Sequence, residues 1–204
     1  MPPLRTEQMA LPVVACVLLA VVALWVPRYR FALLGLGFVV GYAILQDQIS
    51  ARLCPEYFTR LHNPIPGVTD PTLLGVYWGF LGAWWGGVLV GYVAGLMATV
   101  GPRPKLTPRE LVKPFALLVL GVATVTALTG LSVWRHGELF GLILDSGTAQ
   151  VVPTKRHQEL MTVACYHLVA YASSVVGGVA LCAWVWAERR RRTPPPTPTV
   201  ENAP

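Results

Sequence analysis

The side chains best suited to chemistry in this sequence are Asp47, Cys54, Glu56, His62 and His167. Imidazole, thiolate and carboxylate bind metals such as zinc and also move protons. Asp47 lies sixteen residues beyond Phe31, about 24 Å along its helix at 1.5 Å per residue. His167 lies twenty residues before Ala187, about 30 Å from the same side. Both therefore reach the outer edge of a hydrocarbon core about 30 Å thick. An ionisable group at that depth needs a protein partner, so depth alone predicts that Asp47 pairs with His167. On the same helix, His167, Tyr171, Ser174 and Gly178 follow helical spacing and form one small polar face. His157 and Cys165 fall near the same level, and Cys54 could pair with Cys165 if that side is oxidising.

The spacing of this polar set matches no metal-ligand signature, and the four cysteines include no CxxC. A hydrogen-bonded cap on a helix bundle is the simpler reading, and neither a metal nor a cofactor is assigned. No nucleophile elbow, Walker loop, HExxH or dinucleotide fingerprint occurs.

The elements that position these residues follow from composition. Of 204 residues, 54% are hydrophobic and 13% charged, where a soluble domain carries about 25% charged residues. Mean hydropathy is +0.54. The apolar residues come in long blocks, a pattern that suits lipid rather than water. The fold expected is all-α: a polytopic transmembrane bundle over residues 1–192, with about five spans at 10–26, 31–48, 71–100, 108–133 and 156–187. A Pro-rich tail, 193–204, reads as disordered and cytoplasmic. One extracytoplasmic loop follows span 2 and another follows span 4. The first two blocks are near the lower length limit for crossing, which leaves a shallow hairpin open as an alternative to two spans.

Local signals sharpen the boundaries. Pro55 should break the second helix, because proline lacks the N–H and clashes with the preceding turn. Asp70 and Pro71 make an N-cap followed by proline at the first helical position. Thr107 to Glu110 is a capping box, and Pro114 should kink the helix it starts. Residues 139–144 are too short to cross and read as an interfacial or re-entrant turn. Gly75, Gly79, Gly82, Gly86, Gly87, Gly91 and Gly95 line the third span at small-xxx-small spacing, which lets helices approach closely. Trp84 and Trp85 fall near mid-membrane, where packing between helices is the expected role.

The net charge is +6. Arg28, Arg30, Arg103, Lys105, Arg109, Lys113 and residues 189–192 fall on one side of alternating spans, ten basic residues against six on the other. That asymmetry predicts a cytoplasmic C-terminus in a multi-pass cell (inner) membrane protein and accounts for the charge without nucleic acid. The abundance of Ala, Gly, Pro and Arg is common in GC-rich bacteria.

Asp47-Gln48, the run Cys54-Pro55-Glu56-Tyr57-Phe58-Thr59, His62 and Asp70-Pro71-Thr72 resemble a segment of uncharacterised bacterial multi-span membrane proteins. The likeness extends to Trp84-Trp85 and the Arg-Pro-Lys-Leu-Thr loop, so over residues 40–115. It implies a membrane bundle and brings no activity and no catalytic or ligand residue. The leading functional expectation is a non-catalytic scaffold or assembly component. It contacts the lipid bilayer and pairs, through the Gly-rich third helix, with a second copy or another membrane protein. A small permease or channel is the alternative. An outer-face membrane enzyme or metal-binding protein using Asp47, Cys54, Glu56, His62 and His167 is the third.

Overall fold

The computed structural model describes residues 2–137, 144 and 146–194, and among them every regular element is helical. The order is α1 (Thr6–Trp25), α2 (Tyr29–Leu53), the short α3 (Pro55–Thr59), α4 (Pro71–Thr99), α5 (Pro108–His136), the short α6 (Ser146–Val151) and α7 (His157–Arg191). Five of these are long and apolar enough to cross a membrane, so the chain is an integral, multi-pass membrane protein. The expected turn at 139–144 falls, except for Leu144, outside the described residues, as does the tail from 195 onward.

Helix ends sit where their capping chemistry places them. α2 stops at Leu53, one residue before Cys54 and Pro55. Asp70 Oδ1 accepts from the Leu73 N–H at 2.9 Å and opens α4. Glu110 Oε2 accepts from the Thr107 N–H at 2.7 Å and opens α5. α5 closes on Gly137, whose left-handed φ of 85° suits the absence of a Cβ. The first two blocks form helices of 20 and 25 residues, each long and apolar enough to cross a membrane. At 1.5 Å per residue these measure about 30 and 37 Å. The Leu4 N–H donates to the Pro64 carbonyl at 2.9 Å, which ties the start of α1 to the loop beyond α2. α5 is continuous through Pro114.

Two helix pairs, α2 with α4 and α5 with α7, make the bundle, and α1 leans on α2 from outside. The α2–α4 contact is backbone on backbone. A Cβ at Gly35 would lie 2.4 Å from the Gly87 carbonyl oxygen, and one at Gly91 would lie 2.3 Å from that of Phe31. Gly79 meets the α2 backbone at Ile44 in the same way, Gly75 meets the Asp47 backbone and the Gln48 side chain, and Gly95 meets the Phe31 side chain. Gly82 and Gly86 depart from the expected packing role. Gly82 meets only the Tyr171 hydroxyl, at 3.8 Å, and Gly86 has nothing within 4 Å. The five that meet α2 lie on one row of α4 at four-residue spacing, and Gly82 and Gly86 are off that row. Of the two tryptophans, at least one of which is expected between helices, Trp85 points outward, 55% exposed, and Trp84 is half-buried.

The core divides towards the two ends. One part joins Phe31, Ala94, Ala98, Leu111, Phe115, Leu181 and Val185. The other gathers Cys54, Val152, Leu160, Val163 and Tyr166. Between them the perimeter is apolar, with Leu117, Leu128, Val176 and Val179 each 59–70% exposed, as suits a surface facing lipid.

At the basic end, Arg189 is buried and its guanidinium donates to four carbonyls. These are Met97 at 2.5 Å, Val100 at 2.8 Å, Arg103 at 2.9 Å and Pro104 at 2.8 Å. The first two end α4, where unpaired carbonyls and the negative end of the helix dipole favour a cation. Hydrogen bonds from a charged group contribute about 1.5–3 kcal/mol each. This lock therefore outweighs the exposed ion pair between Arg192 and Glu110 nearby, which water and salt screen.

Gly35→Ala should lower the thermal unfolding midpoint in detergent, since overpacking costs about 1–3 kcal/mol. Gly41→Ala, on the same helix with nothing within 4 Å of its Cβ, should leave the midpoint unchanged. Equal midpoints for the two variants would disprove the close α2–α4 contact.

Candidate functional site

Asp47 and Ser50 lie one helical turn apart on α2 and face Tyr166 and His167 on α7. His167 Nε2 is 2.9 Å from Asp47 Oδ1, with 9% of each side chain exposed. The pair expected from depth is thus in contact. His167 Nδ1 lies 2.8 Å from the Val163 carbonyl oxygen. A carbonyl can only accept, so Nδ1 carries a proton and donates it. The second contact then needs one proton between Nε2 and Oδ1. It sits on the imidazole, giving an imidazolium–carboxylate pair, or on the carboxyl, giving two neutral partners. Either way the pair shares one proton and has no net charge, which is what makes its burial tolerable.

The network continues on the carboxylate side. Ser50 Oγ is 3.3 Å from Asp47 Oδ1, 3.2 Å from the Gln46 carbonyl and 2.6 Å from the Tyr166 hydroxyl. With the tyrosine donating to the serine, and the serine donating onward, every atom in the chain is partnered. Aromatic rings enclose it. Tyr57 stacks on His167 at 4.8 Å and Tyr166 at 5.0 Å, with interplanar angles of 26° and 24°.

The remaining predicted residues gather around α3 without converging on one point. Proline at the first position of α3 starts it directly after Cys54, and that turn carries Tyr57, Phe58 and His62 across the end of the bundle. His62 Nδ1 donates to the Tyr57 carbonyl at 2.8 Å, and its ring lies 4.6 Å from that of Trp78. Burial holds the His62 pKa below the ordinary imidazole value, and its own backbone hydrogen bond opposes this only partly. Cys54 is fully buried, with Sγ 3.6 Å from Glu56 Oε2. Burial, reinforced by that carboxylate, pushes its thiol up to about 11, so it stays protonated and unreactive at neutral pH. The same Glu56 oxygen also faces Arg156, at 3.6 Å. Arg156 also caps the end of α2 through the Leu53 carbonyl at 2.7 Å.

Cys54 and Cys165 are both free thiols. They belong to separate clusters, Cys54 with Tyr166 and Leu160, Cys165 with Val133 and Met161. His157 spends Nε2 on the carbonyls of Ala149 and Val152, each at 3.0 Å. Among the described residues no three His, Cys, Asp or Glu side chains come together as a metal site. Of the polar face expected on α7, Tyr171 is 56% exposed, with its hydroxyl 3.8 Å from where a Cβ at Gly82 would lie.

Sequence reading missed Ser50, Tyr57, Tyr166 and Arg156. Ser50 was detectable, one turn after Asp47 on the same helix. Tyr166 was not, because its neighbour His167 had already been placed on the polar face and adjacent helical residues diverge by about 100°.

Asp47→Ala should destabilise the bundle by about 2 kcal/mol, the cost of leaving a buried imidazole nitrogen unpaired. Asp47→Asn should cost clearly less, because its amide N–H can donate to Nε2 of a neutral His167 while Nδ1 keeps Val163. Equal losses in thermal or denaturant unfolding would disprove the shared-proton geometry. For His62 the folded protein resists protonation and the unfolded chain does not, so stability should fall as pH drops below about 6.5. His62→Gln should flatten that acid-side slope, read from unfolding midpoints between about pH 7 and 5.

Compared with known proteins, the chain matches no family model, no curated protein and no solved structure.

Proposed function

We propose that this multi-pass membrane protein is a non-catalytic scaffold or assembly component of a bacterial inner membrane, with its basic end in the cytoplasm. The observation that carries the reading is where the buried charges go. Asp47 and His167 answer each other, Glu188 bonds Arg191 and Arg192, and Arg189 holds four carbonyls of its own chain. Such locks at both ends make a stiff body, and the apolar perimeter is what it offers to other helices. Gly86, with open space beside it, and the outward Trp85 mark the part of α4 on which a second copy or another membrane protein would sit. The excess of Arg and Lys at the end holding the α1–α2 and α4–α5 connections supports its cytoplasmic placement.

One observation favours a second reading, an outer-face site that handles a proton or small polar ligand. The indole N–H of Trp78 is buried beside His62 without a hydrogen-bond partner among the described residues. A buried donor left unpaired costs about 1–3 kcal/mol, and a ligand would recover it.

The two readings separate in one preparation. Cross-linking in native membranes, followed by purification in mild detergent, should yield an assembly larger than the 22.2 kDa monomer. Liposomes carrying the purified protein should show no proton flux above empty vesicles. A monomer with no cross-linked partner, together with proton flux that Asp47→Asn abolishes, would overturn the scaffold and establish the outer-face site.

A further inference from the structure

We propose that Arg103, Trp186 and Arg190 form a binding site for the phosphate headgroup of an anionic phospholipid at the basic end of the bundle. The two guanidinium groups flank one indole. The central carbon of Arg103 is 5.5 Å from the Trp186 ring centroid and that of Arg190 is 5.4 Å from it. Stacking on the indole face orients each guanidinium while leaving its N–H edge free to bind phosphate oxygens.

Three further observations lead to the same place. The site is held in position, because Arg189 bonds the carbonyls of Arg103 and Pro104 and lies next to Arg190 in α7. Loop and helix therefore cannot drift apart without breaking that lock. Its charge is unanswered. Of the described acidic residues only Glu110 and Glu188 lie at this end, and they are engaged by Arg192 and Arg191. Neither Arg103 nor Arg190 pairs with a carboxylate among the described residues. Finally, the site lies at the head of an apolar track. Val175, Val179, Ala183 and Trp186 share one outward face of α7, and Val175 and Val179 are 69% and 66% exposed. A headgroup held by the two arginines would lay its acyl chain along those residues. A free phosphate has no use for them.

The full chain in a mild detergent, titrated with dioleoyl phosphatidylglycerol or dioleoyl phosphatidylcholine and read by native mass spectrometry, tests this. The parent should retain the anionic lipid in preference to the zwitterionic one. Arg103→Gln with Arg190→Gln should weaken retention roughly thirtyfold, from the usual attraction per basic residue at an anionic surface. Arg190→Gln alone, which gives up only the ring contact, should weaken it about fivefold and guards against misfolding of the double variant. Arg28→Gln with Lys113→Gln, an equal loss of charge at the same end, should change it less than twofold. Equal losses in the two double variants would overturn the proposal in favour of diffuse charge. Equal retention of the two lipids would overturn it outright. Displacement of the lipid by inorganic phosphate at matched concentration would overturn the assignment to a lipid.

Discussion

The close approach of α2 and α4 is the constraint on which the rest of this structure depends. Gly35 faces Gly87 and Gly91 at a separation that leaves no room for a Cβ on either side. In lipid, apolar side chains gain nothing by leaving their surroundings, so association rests on contact density and internal hydrogen bonds. A glycine seam supplies the first of these. It also sets where α2 stands, and so where Asp47 and Ser50 meet the helix that carries His167.

The second requirement of lipid is that polar groups find their partners inside the chain. The bundle meets it at its two ends by different chemistry. At one end a carboxylate and an imidazole share a proton, under a lid made by α3 and its aromatic side chains. At the other a guanidinium collects the carbonyls that the end of α4 leaves over. The first arrangement can change its internal charge distribution by moving a proton across one hydrogen bond. The second cannot, since an arginine stays charged. The two ends are thus unlike in kind: one holds a proton shared between two side chains, the other a permanent cation.

What was legible in the sequence was whatever depends on local pattern. The apolar blocks, Pro55, the Asp70-Pro71 cap and the Thr107–Glu110 box set the helices and most of their ends. The contact between Asp47 and His167 was legible from depth, because helical rise converts residue counts into height. Rotation about the helix axis was harder. Gly82 and Gly86 share the small-xxx-small spacing of their neighbours yet make no contact with α2, and Tyr171, grouped with the buried His167, is largely exposed. Those outcomes depend on how helices lean against one another, which no single segment encodes. The role of Arg189 was hidden for another reason. In a run of four arginines it looks like its neighbours, and only the position of the α4–α5 loop singles it out.

Both polar locks draw one partner from α7, and this bears on how the protein is made. A chain whose synthesis has reached only α5 carries Asp47 in the second span without its imidazole. Its third-span carbonyls at Met97 and Val100 are still without the guanidinium. The earlier helices can enter the membrane and the α2–α4 seam can close, but the bundle stays polar at two points until the final helix arrives. Insertion and completion are therefore separate events. Arrival of α7 partners both polar points at once.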